Sequence, residues 1–176
     1  MKIQQAGSHL DHMMRQTRMH HIQLSMMADV KANALMTISA VMMTFSAPFV
    51  TREAFRAAVI VLICSSLLTI VLATFAVMPK IFLGQKTAPK ESDEGFNLLF
   101  FGTFTAMHWR QFEAAMEDMM NDPSKTYEAQ VREVYVLGQY LARKKYRFLG
   151  LAYAAFTTGL VACGVTLLWT HLTLAS

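Results

Sequence analysis

Hydrophobic positions in this chain come in runs rather than in alternation. Ala57–Met78 and Phe148–Ser176 contain no charged residue, and neither does the shorter, hydroxyl-dotted stretch Ala32–Val50. A bilayer core takes about 20 apolar helical residues. A soluble domain would break such runs into amphipathic stretches. The pattern predicts an all-α integral membrane protein with three transmembrane helices, spanning 32–50, 57–78 and 148–172.

The segments between the spans also read as helices. Leu10, Met14, Thr17, His21, Leu24, Ala28 and Lys31 alternate spacings of four and three, a heptad-like stripe that runs into span one. Nothing from Ser8 to Ala47 breaks a helix, so the first helix is expected to project below the membrane. Pro48 closes span one, and Thr51–Arg56 is expected to form a tight turn. Pro79 ends span two, and Gly84, Pro89 and Gly95 punctuate a linker. Residues 97–121 predict a helix capped by Asn97, with Phe101, Phe104, His108, Phe112 and Met116 on one stripe. Asp122-Pro123 is a restart signal: a capping carboxylate, then a proline at the first helical position. From there Tyr127, Val131, Val134, Gly138, Leu141, Lys145 and Phe148 keep heptad spacing into span three. The last helix is therefore expected to be long and continuous. The expected organisation is an N-terminal helix (1–31), a transmembrane hairpin (32–78), a helical region (79–147) and the third span (148–172). The two non-membrane parts would form a small cytoplasmic helical bundle. Three helices make a small core, so homo-oligomerisation is expected to complete it.

Charge placement sets the orientation. Lys2, Arg15, Arg18 and Lys31 precede span one, only Arg52 and Arg56 separate spans one and two, and ten lysines and arginines lie between spans two and three. The positive-inside rule then puts the N-terminus and residues 79–147 in the cytoplasm and the C-terminus in the periplasm. The polar N-terminal residues lack the apolar core of a secretory signal, so the first span is expected to act as an uncleaved anchor. A net charge of +4 follows from this topology and gives nucleic acid little support. Cys64 and Cys163 fall within spans and read as small packing residues.

Candidate chemistry is sparse. There is no glycine-rich phosphate loop, no nucleophile elbow and no close carboxylate pair with a base, so no catalytic residue is assigned. Glu113, Glu117 and Asp118 read as a solvated face. His9, His12, His20 and His21 lack the cysteines or carboxylates that would complete a metal site, so neither metal nor cofactor is expected. Asp29 is the odd residue: a carboxylate at a membrane boundary gains nothing from an anionic leaflet. A buried partner among Arg143, Lys144, Lys145 and Arg147 would explain it. The basic run 143–147 reads first as a positive-inside anchor and second as an anion site. For the second reading Tyr135, Phe101, Phe104 and Trp109 could stack on a base.

Three blocks resemble the transmembrane effectors of Pycsar, the pyrimidine cyclase system for antiphage resistance. The first is Asp29, Lys31 and Ala32 ahead of span one. The second is Asn97, Leu99, Phe100, Phe101, Gly102 and Phe104. The third is Tyr135, Leu137, Gly138, Leu141, Lys145, Tyr146 and Leu149, followed by Tyr153, Phe156 and Gly159 within the last span. The blocks stand in order and cover most of residues 20–165. The resemblance implies an effector that senses cyclic CMP or cyclic UMP after infection and impairs the inner membrane, causing abortive infection. A cyclic nucleotide needs cations, flat surfaces and polar partners. The matching blocks offer Lys31 and Lys145, Phe101 and Tyr135, and Asn97 and Asp29 respectively. A membrane scaffold that recruits a protein partner is the principal rival, and a small constitutive channel is another.

Overall fold

The computed structural model describes Ile3, residues 7–78 and residues 96–175. The linker bearing Gly84, Pro89 and Gly95 lies outside the described residues. Every regular element among them is helical. Helix α1 is Ser8–Ser46 and α2 is Glu53–Val77; α3 is the single turn Phe101–Phe104. Then come α4 (Trp109–Asn121), α5 (Pro123–Tyr140) and α6 (Arg147–Ala175). Three helical stretches, Ser8–Thr51, Glu53–Val77 and Pro123–Thr173, are long and apolar enough to cross a membrane.

The element ends follow local chemistry. Pro48 has no N–H to donate to the helix behind it, so α1 tightens into the 3-10 turn Ala47–Thr51. Extended backbone at Arg52 then reverses the chain, and α2 starts at Glu53, earlier than the sequence pattern implied. Met78 is extended as well, as expected of a residue before proline. At the restart, Asp122 Oδ1 accepts from the Ser124 N–H at 2.8 Å, and Pro123 opens α5.

The continuous helix expected over 97–121 is broken. Asn97 Oδ1 does accept from the Leu99 N–H at 3.0 Å, but this closes a turn, and regular helix begins only at Phe101. A second interruption separates Phe104 from α4, whose preceding residue His108 is extended. In an unbroken helix, residues eight apart lie about 12 Å apart along the axis. Here the Phe104 and Phe112 ring centroids are 5.4 Å apart. Folding the chain back buries one aromatic on the other, and Gly102, Thr103 and Thr105 are weak helix formers that give little resistance.

The last helix is continuous from α5 to α6, with one irregularity. Leu141–Tyr146 forms a π-helical segment, in which each turn holds an extra residue. Nothing in the heptad spacing signalled it.

The chain divides into two compact units. One comprises Met1–Leu24 and Pro79–Leu141, the other Ser25–Met78 and Ala142–Ser176. In the first, Tyr127 is buried and its hydroxyl donates to Asp11 Oδ1 at 2.6 Å. Arg18 pairs with Glu133 at 3.0 Å, and the Thr126 hydroxyl donates to the Met119 carbonyl at 2.7 Å. In the second, α2 runs antiparallel to α1 and α6. Ala28, Ala32 and Leu35 of α1 form one cluster with Ala73 and Ala76 of α2 and Leu149 and Ala152 of α6. Small residues let helices approach closely in lipid, where dispersion and shape replace the hydrophobic effect. At Gly159 an added Cβ would collide with the Cβ and Oγ of Ser65.

Candidate functional site

The six residues offered for a nucleotide divide between the two units. Asp29, Lys31 and Lys145 belong to the span-bearing unit, and Asn97, Phe101 and Tyr135 to the other. Within the first group, two residues meet. The Lys145 ammonium lies 2.7 Å from Asp29 Oδ1 and 2.8 Å from Oδ2, and donates to the Ser25 hydroxyl at 2.7 Å. The boundary carboxylate thus has the buried partner that its position called for. Of the four basic residues weighed for that role, Lys145 fills it.

Local structure explains the meeting. Ser25 and Asp29 are four apart on α1, so they share a face one turn from each other. Lys145 lies inside the π segment. One extra residue turns the helix beyond it by about 100° relative to regular α-helix. The segment thereby sets which side chain of the basic run looks inward, and that residue is buried while Arg143 and Arg147 are exposed. The lysine side chain is only 7% exposed against 35% for the aspartate. A buried ammonium needs its donors satisfied. Asp29 Oδ2 and the Ser25 hydroxyl accept two of its hydrogen bonds, and Oδ1 adds a close opposite charge.

The remaining candidates are arranged differently. Lys31 is exposed on α1, two residues past Asp29, and is no part of the pair. Asn97 is buried with its carbonyl oxygen committed to the Leu99 N–H. Its neighbour Phe96 offers its carbonyl to Arg132 at 3.2 Å. Tyr135 is 64% exposed. The side chain of Phe101 lies outside the described residues. Trp109, 65% exposed, stacks at a tilt on Phe112 with centroids 6.1 Å apart. Ser25 was missed by sequence reasoning, although its spacing from Asp29 was a usable signal.

Electrostatics outside the spans are milder. Burial pushes the Glu133 carboxyl above its usual range, and the Arg18 guanidinium pulls it partly back. The hydrogen bond to Asp11, followed by burial and the Asp11 charge, holds the Tyr127 hydroxyl above its ordinary value. Among the described residues no cluster of three histidine, cysteine or carboxylate groups could hold a metal ion.

The chain matches the family model for the Pycsar effector protein domain over residues 12–171. It belongs to the Pycsar effector family. The matched range takes in every described helix apart from the first turns of α1 and the last residues of α6. No curated protein and no solved structure matches the chain. Membership makes the protein an effector of that defence system rather than its cyclase. Together with three apolar helices, it points to a membrane protein.

Proposed function

We propose that this Pycsar effector senses a cyclic pyrimidine nucleotide, cyclic CMP or cyclic UMP, and then impairs the inner membrane, so that the infected cell stops supporting phage growth. The observation that carries the reading is the family match across residues 12–171, all three spans included. The charge distribution supports an orientation with the N-terminus and residues 79–147 in the cytoplasm, where the ligand would be made, and the C-terminus in the periplasm.

In this reading the Asp29–Lys145 pair is the resting latch between α1 and the last helix. A cyclic phosphate offers the lysine a competing anion, with Lys31 of the same unit as a second cation. Drawing the ammonium away leaves Asp29 unpaired and removes the reason for the π segment. Relaxing that segment to regular α-helix would turn α6 in the membrane. Ligand binding then shifts an equilibrium between two packings, as any ligand with differential affinity must. The homo-oligomer opens or clusters in response, with hydroxyl-rich α1 as the lining of the path.

Calorimetry on the full chain in detergent tests the sensing step. Cyclic CMP or cyclic UMP should release or absorb heat with saturation, and the purine counterparts should not. One observation favours a second reading. Trp109 and Tyr135 are exposed aromatics outside the spans, the kind of anchor a protein partner buries. Silence toward all four nucleotides would favour that scaffold role.

A further inference from the structure

Helix α1 has two opposed faces within its span. Ala28, Ala32, Leu35 and Ser39 are buried in the protomer. On the other side Met26, Val30, Asn33, Thr37, Ala40 and Thr44 are all exposed. Their spacings are four, three, four, three and four. That is a strict heptad repeat, the pattern by which one helix keeps a single seam turned toward a neighbour.

Its composition distinguishes this seam from the outward faces of α2 and of the later turns of α6. The exposed side chains of α2 include Ile60, Leu67, Leu68, Val71 and Phe75, and those of α6 include Val161, Val165, Leu168, Trp169 and Leu172. Such bulky apolar groups suit lipid tails. On the α1 seam, from Asn33 onward, no side chain is larger than asparagine. The threonine hydroxyls are turned to their own backbone: Thr37 donates to the Asn33 carbonyl and Thr44 to the Ala40 carbonyl, both at 2.9 Å. They present methyl groups outward. Small, smooth faces are what helices pack against one another in membranes, because backbones can approach closely.

Asn33 decides what covers the seam. Its carboxamide is exposed at the edge of the span and makes no side-chain hydrogen bond among the described residues. A carboxamide both donates and accepts, so its matching partner is another carboxamide. Copies of one chain insert in the same direction, which sets each α1 parallel to the next and Asn33 opposite Asn33. We infer that α1 docks on α1 of a second copy of this chain along Met26, Val30, Asn33, Thr37, Ala40 and Thr44, with Asn33 fixing the register. The inference rests on the membrane reading but not on the ligand.

Cysteine cross-linking of the full chain in membranes, without nucleotide, tests it. The background carries Cys64→Ala and Cys163→Ala. Thr37→Cys, Ala40→Cys and Thr44→Cys should each give a disulfide dimer under mild oxidant, whereas Phe45→Cys on the flank and Leu67→Cys on α2 should stay monomeric. Adding Asn33→Leu to Ala40→Cys should lower the dimer fraction about threefold, the size of one interhelical hydrogen bond in lipid, and Asn33→Gln should preserve it. Absence of dimer at all three seam positions, or equal dimer at Leu67→Cys, would overturn the inference.

Discussion

Among the described residues, two ion pairs tie α1 to the last helix, one in each unit, and they are built in opposite ways. In Lys145–Asp29 the cation is the buried partner, 7% exposed against 35%. In Arg18–Glu133 the anion is the buried partner, 13% exposed against 52%. The difference goes beyond sign. The lysine is surrounded by acceptors, two carboxylate oxygens and a serine hydroxyl. Glu133 has one guanidinium, and burial still lifts its carboxyl above the usual range. The first pair resolves a buried charge; the second only offsets one. A charge left without a partner in a buried site is far costlier than a strained exposed pair.

The same exchange of acid for amide should therefore have unequal effects. Asp29→Asn strands the buried ammonium, leaving Ser25 and a neutral carbonyl. It should cost about 3 kcal/mol, the low end for breaking a buried pair because the aspartate is partly exposed. Thermal unfolding in detergent would show a drop of several degrees. Lys145→Met should cost less, since the aspartate side chain left behind is partly exposed. Equal losses from the two variants would contradict the asymmetry.

Packing gives the next largest effect. Gly159→Ala drives a methyl into the Ser65 side chain. Separating α2 from α6 to make room should cost about 1–3 kcal/mol, as overpacking does. Ser65→Gly in the same chain should recover most of the loss. No recovery would mean that the strain lies elsewhere.

Much of this architecture was legible because lipid imposes simple rules. Uncharged runs located the spans, Asp122-Pro123 located a helix start, and Asp29 at a membrane boundary demanded a cation on the other helix. The π segment was not legible, since inserting one residue per turn leaves heptad spacing intact on paper. The break in 97–121 was hidden for a related reason: Phe104 and Phe112 fit a helical stripe, yet they meet by the chain folding back. Close approach at Gly159 depends on which residue faces it, which a single sequence does not state. Of the candidate site, the Asp29–Lys145 half could be read from charge logic, while Ser25 needed the helix face to be considered.

Smaller effects are expected in the first unit. Tyr127→Phe removes the donor to Asp11 and should lower the melting temperature modestly. The tyrosine titrates above its ordinary value in the fold, so its share of stability is present at neutral pH and is lost as pH rises from about 10 through that higher value. Alkaline melting curves of the parent and the variant should converge.

Glu133→Gln should do least, within about 0.5 kcal/mol of the parent at neutral pH. Its raised pKa means that protonation favours the fold. The penalty it imposes at neutral pH should shrink as pH falls through the raised value toward the ordinary carboxylate range. A loss matching that of Asp29→Asn would erase the distinction between the two pairs.

The proposed function links a cyclic pyrimidine nucleotide to membrane damage. Dye release from liposomes reconstituted with the full chain tests it most directly. Vesicles should be tight without nucleotide, should release dye on adding cyclic CMP or cyclic UMP, and should stay tight with the purine counterparts. Vesicles that stay tight at saturating pyrimidine nucleotide, or that leak equally without it, would contradict it.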